Sequence, residues 1–557
     1  MTKKEILKIF CLVVTYIIFS HSQSVIAELT QKKTISVAMF ENITGNKEYD
    51  WVGTGFADTV TTKLVNVKLI VVVERIKLFE VLKEQKLQLS GLVDENKAIE
   101  VGRLIAAQYI VVGSFQKSGE ELKVVARVVN VETSQAEKSV TVEGKFKDIF
   151  ELQQKLTLEL AKVIETPVSE EEKTEIAKPP ARNFAAYEWF AKGKMYFYEK
   201  FQSDEAIASY KKAIKIDKDY ADAYLELGNA FGNKSFYDEA FESYKNALLL
   251  YEIKNNRLNM GKTLQNIGII FYTQGNYDKA MEYYNKSIAI IEKLENYSEM
   301  ARIYNNVWLI KYNRGDYKSA LEDCNKAIEI NKKYANNREI GVGYCNIGSV
   351  YDALGNYDKA MEFCNKAIEI SRKIGYQRGL AAAYNLAGNI YYSREDYNKA
   401  FEYFGKSLEI NEKLGSELSI MENYINLGTV YYSKKKYSKA IDCYDKALQI
   451  GKKFSNKLNI ARIYNNIGLV YLADGDYTSA RKYFQKSLKI KQELGDTAGS
   501  GVVMSNISLV FEAENDYDSA VRYQDAAVKF FEKTGYYMLE KSLKKLEGLH
   551  KKQHEKN

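Results

Sequence analysis

Asparagine recurs at Asn266, Asn306, Asn346, Asn426, Asn466 and Asn506, each two residues before a position that is most often glycine. Asn305, Asn385 and Asn465 form a second row one residue earlier in the period. An amide side chain both donates and accepts a hydrogen bond, so a ladder of them can pair with the backbone of an extended peptide whatever its side chains are. The same amides can instead bond to one another and fix the packing of neighbouring helices. These nine asparagines are the candidate peptide-binding residues, and both uses are open.

The chain offers little material for other chemistry. It holds 3 histidines in 557 residues, one of them His21 in an apparent leader. His550 and His554 stand four apart, the spacing of two metal ligands on a helix, but they sit in a Lys-rich tail without a third ligand and read as a solvated terminal helix. Gly53-Thr54-Gly55 precedes a helical pattern as a phosphate cradle would, yet the third glycine and a basic partner are missing. With no nucleophile motif and no metal spacing, the expectation is a protein that is not an enzyme and uses no cofactor and no metal. The formal net charge is +7 from 80 basic and 73 acidic residues, and Lys alternates with Glu and Asp instead of forming one basic run. That pattern argues against nucleic acid as a partner.

The elements that must carry the asparagines follow from an alanine series. Ala240, Ala280, Ala320, Ala360, Ala400, Ala440, Ala480 and Ala520 recur with a step of 40, and Ala206 precedes them by 34. A fixed period of this length means stacked helical units, each too small to bury its own apolar face. Twelve residues before the alanines sit Gly228, Gly268, Gly348, Gly388, Gly428 and Gly468, so a small residue on one helix and the alanine on the next are the expected contact of a helical hairpin. Gly275, Gly315, Gly355 and Gly475 suit the left-handed end of the first helix, and Asn276, Asp316, Asn356, Asp396, Asp476 and Asp516 suit the N-cap of the second. One unit departs: Trp308 occupies the small position, and Lys311 stands where the other units from Ala280 onward have Tyr or Phe. The expectation there is a splayed crossing at Ala320. Cys324 and Cys364 replace the Tyr or Phe of other units and read as small core residues, with a Cys324–Cys345 pair as the alternative in an oxidising compartment.

All three prolines, Pro167, Pro179 and Pro180, fall in one polar stretch, which predicts a linker over residues 166–183. Before it, the pattern is mixed: strands near residues 34–39, 69–73, 109–115, 122–131 and 139–143, with helices over 53–64, 78–87, 94–107 and 148–165. Residues 33–165 therefore form an α/β N-terminal domain. At the start, Lys3, Lys4 and Lys8 precede an apolar run over 9–20 and the small-residue site Val25-Ile26-Ala27, the layout of a signal peptide over residues 1–27. An uncleaved anchor is the alternative, although the run is shorter than the roughly 20 residues that span a bilayer. No membrane span is expected after signal removal.

Two resemblances extend this reading. The grammar of Tyr464-Asn465-Asn466-Ile467-Gly468-Leu469-Val470-Tyr471, Gly475-Asp476-Tyr477-Thr478-Ser479-Ala480 and Tyr483-Phe484 resembles the tetratricopeptide repeat, with nine units over residues 184–533 and a capping helix and basic tail over 534–557. The 40-residue units are similar to those of kinesin light chain. The resemblance implies an all-α right-handed superhelical solenoid of helix-turn-helix repeats, whose first helices line a groove for peptide segments of partner proteins. Chaperone cofactors that clamp a terminal carboxylate also use a lysine that this chain lacks, so that ligand is not expected. Val37-Ala38-Met39-Phe40-Glu41-Asn42, Gly53-Thr54-Gly55-Phe56-Ala57-Asp58, Val73-Glu74-Arg75, Val111-Val112-Gly113-Ser114 and Ala126-Arg127-Val128-Val129-Asn130-Val131-Glu132-Thr133 resemble the periplasmic domain shared by the bacterial curli secretion channel and related flagellar outer-membrane proteins. The lipid-anchoring cysteine and long inter-strand insertion of the channel are absent, so no pore is expected. That resemblance implies a periplasmic or otherwise exported location in the cell envelope and self-assembly through the N-terminal domain. The resulting expectation is an exported, non-catalytic scaffold that binds a protein or peptide partner. Its alternative is a ring-forming secretion or motility accessory component at the outer membrane.

Overall fold

The computed structural model describes residues 32–73 and 107–556, apart from 134, 334, 335 and 455, together with the isolated positions 78, 99, 101, 102 and 105. The leader expected over 1–27 lies outside these residues, as do the helices expected over 78–87 and 94–107 apart from those isolated positions. The chain divides into two compact units, with the division between Ala191 and Lys192.

In the first unit, β1 (Lys33–Asn42), β2 (Ile70–Val72), β3 (Tyr109–Ser118), β4 (Glu121–Asn130) and β5 (Gln135–Lys145) form a mixed sheet of order β2-β1-β3-β4-β5. β1 runs parallel to both β2 and β3, and β3, β4 and β5 form an antiparallel meander. α1 (Asp50–Leu64) and α2 (Ile149–Val163) pack on the sheet and on each other, burying Phe40, Trp51, Phe56, Phe115, Val142 and Leu156. Gly53 and Gly55 lie inside α1, not in a loop ahead of it. A side-chain carbon on Gly53 would lie 2.0 Å from the carbonyl oxygen of Phe40, so glycine lets the helix lie directly on β1. The phosphate-cradle pattern is thus a packing device.

Residues 166–183 hold a helix where a linker was expected. α3 (Glu170–Ala177) opens on a capping box of Ser169 and Glu172, and its Ile176 is fully buried. Lys63 of α1 donates to the carbonyls of Ile176 and Lys178 at the end of α3, and burial pushes its ammonium down to about 8. One apolar side chain and one buried cation hold this otherwise polar stretch on the first unit. The unit continues into α4 (Phe184–Lys194), whose Tyr187 hydroxyl accepts from Gln153 Nε2 at 2.6 Å and lies 3.0 Å from Thr59 Oγ1.

The second unit is a solenoid of helix pairs. After Ser203–Ile216, first and second helices alternate: Ala221–Asn233 with Tyr237–Ile253, Arg257–Thr273 with Tyr277–Lys293, Tyr297–Asn313 with Tyr317–Lys333, and Asn337–Ala353 with Tyr357–Lys373. Gln377–Ser393 then pairs with Tyr397–Leu414, Glu417–Ser433 with Tyr437–Lys453, Lys457–Asp474 with Tyr477–Glu493, and Thr497–Ala513 with Tyr517–Thr534, before a final helix Leu539–Lys556. We number the repeats from Ala206 to Ala520. The expected N-caps form: Asn276, Asp316, Asn356, Asp396, Asp476 and Asp516 each accept from the amide three residues on. First helices are capped likewise by Asn256, Asn296, Asn336, Asn456 and Asp496. Successive first helices also pack on one another, more than successive second helices do, so the array bends with its first helices on the inner face.

The alanines are fully buried, but the glycine before each answers to a different partner. A side-chain carbon on Gly228, Gly268, Gly388, Gly428 or Gly468 would lie 2.5–2.7 Å from a ring carbon of Tyr244, Tyr284, Phe404, Tyr444 or Phe484 respectively. The glycine is a notch for a ring from the second helix. In the fourth repeat the pair is exchanged: the first helix supplies the large ring, Trp308, and the second supplies the small Cys324, so both are buried and Ala320 is 0% exposed. The splayed crossing expected there does not occur. A second exchange lies beside it. Other repeats stack Phe271 on Tyr283, Tyr351 on Phe363, Tyr391 on Tyr403, Tyr471 on Tyr483 and Phe511 on Tyr523, with centroids 5.3–5.7 Å apart. At that place the fourth repeat has Lys311 paired with the buried Asp323 at 2.5 Å.

The exchange predicts a compensated pair. Trp308→Gly leaves a void beside Cys324 and should cost about 3–5 kcal/mol, while Cys324→Tyr alone overpacks the crossing. Combining them rebuilds the notch and ring of the other repeats and should recover at least half of the loss, read from denaturant midpoints in a double-mutant cycle. A second prediction concerns pH. Burial raises the thiols of Cys324, Cys345 and Cys364 to about 12 and lifts the hydroxyls of Tyr244, Tyr251, Tyr284 and Tyr444 well above their ordinary value. The folded array keeps protons that the unfolded chain sheds, so this stabilisation is present below about pH 9 and is lost as pH rises toward about 12. Thermal melts across that range should show it, with the tyrosinate absorbance of these buried residues appearing only together with unfolding. Lys63 acts in the opposite sense in the first unit, because its depressed pKa favours the folded form increasingly above about pH 8.

Candidate functional site

The inner face of the array carries all nine candidate asparagines, each on a first helix and each half-buried. Helical spacing places the two rows of adjacent repeats opposite each other, and the structure joins them. Asn426 Nδ2 donates to Asn385 Oδ1 at 2.7 Å, and Asn506 Nδ2 donates to Asn465 Oδ1 at 2.8 Å. Asn266 Nδ2 donates at 2.9 Å to Asn229 Oδ1, which also accepts from the Tyr244 hydroxyl at 2.9 Å. Each rung ties one first helix to the next. The remaining candidates are placed differently: Asn306, Asn346 and Asn466 make no side-chain hydrogen bond with the described residues, and Asn305 Oδ1 is buried without a partner.

A second ladder runs nearer the ends of the same helices, and sequence reasoning missed it. Asn313 Nδ2 donates to the Tyr272 hydroxyl at 3.0 Å, Ser393 Oγ to Asp352 Oδ2 at 3.3 Å, and the Tyr392 hydroxyl lies 2.8 Å from Ser433 Oγ. The signal was available, since each pair stands 41 residues apart, as Asn385 and Asn426 do. Burial raises the Asp352 carboxyl above its ordinary value. Asn229 was also missed; it lies directly after the notch glycine Gly228, one turn past the row.

Charge on this face is balanced locally. Glu299 is buried between Lys262 at 3.0 Å and Arg302 at 3.2 Å, and Arg462 pairs with Glu422. Lys194 approaches Glu226 at 3.4 Å, and the Tyr198 hydroxyl donates to that carboxylate at 2.7 Å. The face is therefore polar and amide-rich without a dominant sign. Among the described residues, no group of three His, Cys, Asp or Glu side chains stands close enough to hold a metal ion, and no helix is long and apolar enough to cross a membrane. Cys324, Cys345, Cys364 and Cys443 are free thiols.

Stacked helix pairs, notched crossings and a polar inner face define a helical-repeat protein. The chain belongs to the tetratricopeptide repeat family: that family's model matches residues 219–293, 299–373, 379–453 and 459–533, more than half of the chain. A further repeat model matches residues 195–235. Residues 20–120 match the family described as curli production assembly/transport component CsgG. No curated protein is measurably similar to the chain. Among solved structures, a Rap protein complexed with competence and sporulation factor shares 18% identity over 63% of this chain and 97% of its own, with a TM-score of 0.42. The Rap conjugation gene regulator of plasmid pLS20, in complex with the Phr* peptide, shares 16% over 59% and 94%, with a TM-score of 0.44. BtubC from P. vanneervenii shares 19% over 40% and 90%, with a TM-score of 0.32.

The two classes of asparagine should separate on substitution. Asn426→Ala removes a rung between helices and should lower array stability by about 1 kcal/mol, whereas Asn346→Ala, which breaks no bond, should leave the denaturant midpoint unchanged. Equal effects would mean that the rungs do not tie the helices.

Proposed function

We propose that this protein is an exported, non-catalytic scaffold of the cell envelope, whose repeat array holds an extended peptide segment of a partner protein along the first helices. The observation that carries this reading is the set of uncommitted amides on the inner face. Asn306, Asn346 and Asn466 keep all their donors and acceptors, and each rung of the ladder spends only one donor and one acceptor, leaving more for a ligand. A peptide backbone offers donors and acceptors in matching alternation, and a face without a dominant charge does not demand a particular side chain. Membership of the tetratricopeptide repeat family supports a role in protein–protein interaction. The match of residues 20–120 to a curli production component supports a location in the cell envelope and a first unit that docks or assembles there.

The test selects extended peptides on the immobilised array from a displayed random library. Selected binders should lose about tenfold in affinity for the Asn346→Ala, Asn466→Ala double variant, which keeps the wild-type melting curve. Undiminished binding by that variant would remove the amides from the binding face. Mass measurement on the full chain with and without the first unit reports whether that unit assembles with itself.

A further inference from the structure

The array touches itself across distant repeats. The turn at residues 274–276, between the two helices of the third repeat, meets residues 495–498, which lead into the ninth. Thr497 donates its backbone N–H to the Gln274 carbonyl at 3.3 Å. One repeat further along, Tyr537 donates its N–H to the Asn313 carbonyl at 3.2 Å. Tyr536 packs against the core that the third and fourth repeats share, Tyr277, Ala280, Tyr284 and Ile291 with Met300, Ile303, Val307 and Ile310. Since turns between paired helices lie on one edge of the solenoid and turns between repeats lie on the other, these contacts join opposite edges. The array has come round by one full turn.

Close approach at this seam has left a mark on the sequence. Gly275 adopts φ +71°, a conformation that Ser235, Glu395, Lys435 and Asn515 also adopt at the equivalent turns. Backbone conformation therefore does not by itself demand glycine there. Space is tight: a side-chain carbon on Gly275 would lie 3.1 Å from the backbone nitrogen of Ala498, so the two turns would have to part by a few tenths of an ångström. Gly355, also at φ +71°, has nothing within 4 Å of the same position. Gly315, in the second seam contact, would place that carbon 3.5 Å from Tyr537 Cβ.

We propose that this seam is a latch. Closed, it encloses the inner face from the third to the ninth repeat, so that the array admits a single extended polypeptide segment and excludes a folded domain until the seam parts. The partner class rests on the peptide-holding function proposed above, and the latch sharpens it from any partner to one presented as a slender chain. Two backbone hydrogen bonds and one seated tyrosine are a small contact, so opening is accessible without unfolding the repeats.

The test measures access to the inner face and needs no partner, so its failure is distinct from failure of the peptide-binding reading. Asn389 is exposed on the inner-face helix Gln377–Ser393, midway round the turn. Asn389→Cys is introduced into the full chain with Cys11, Cys345 and Cys443 changed to Ser, and its reaction is timed with N-ethylmaleimide and with a maleimide carried on a small globular protein. Two variants open the seam. Gly275→Asn wedges it with a residue that tolerates left-handed backbone. Thr497→Pro deletes its donor at the first position of a helix, where proline is accepted. Gly355→Asn controls for the backbone change alone. Both seam variants should react about tenfold faster than the parent with the bulky reagent, and at the parent rate with N-ethylmaleimide. Gly355→Asn should change neither rate. The proposal is overturned if the bulky reagent is unhindered in the parent, if the seam variants match Gly355→Asn, or if both lose their helical circular dichroism, since a latch is dispensable for folding.

Discussion

Most crossings of the array rest on one steric exchange, a ring from the second helix seated in a notch on the first, while Gly348 instead meets Leu386 beside Cys364 and Ser508 faces Gln524. No single unit of this size can bury its own apolar surface, so stability accrues from crossings within repeats and contacts between neighbours. The notch sets how near the two helices of a pair lie, which in turn sets where the next first helix lands. A methyl group at Gly268 or Gly428 would occupy the place of Tyr284 or Tyr444, and the crossing would have to widen. The fourth repeat shows that the large and small members of the pair can change helices. Trp308 and Cys324 fill the same space with the sizes transposed, and the Lys311–Asp323 ion pair stands where other repeats stack two rings. That pair is buried on the Asp323 side and has its counter-charge at hydrogen-bond distance, the condition under which a buried charge is tolerated.

How much was legible follows from the range of each interaction. The period, the N-caps and the left-handed turn positions are local, and the amino-acid sequence displays them directly. The small position at 308 was also visible, but its meaning depended on a second residue sixteen positions later, and reading Trp308 without Cys324 led to a splayed crossing that does not exist. The stretch 166–183 misled for a related reason. Its polar and proline content described its exposed side, while its docking depends on Ile176 and on Lys63, a residue far away in the chain. At the inner face, residue type showed that amides recur, and only the register of neighbouring helices shows that Asn385 bonds Asn426 while Asn346 makes no side-chain hydrogen bond with the described residues. The face thus combines rungs that hold adjacent helices with positions that keep their hydrogen bonds unspent.

The edge of the solenoid at the turns between paired helices carries a repeated polar link at four of its turns. Lys234 reaches back to Asp204, Arg314 to Asp278 and Arg394 to Asp358, each linking one turn to the start of the preceding second helix, and Lys434 reaches Asn398 in the same way. Such exposed pairs contribute little each, roughly 0–1 kcal/mol, but they surround those turns with ordered, hydrated side chains. The third, fifth, eighth and ninth repeats have Gln274, Leu354, Asp474 and Glu514 at that position. A neutral residue whose carbonyl is free to accept, followed by a glycine with no side chain to displace, gives the ninth repeat's Thr497 an edge it can approach to hydrogen-bond distance. The seam therefore accepts both kinds of turn: Gln274 without a staple at its first contact, and Arg314, paired with Asp278, beside its second.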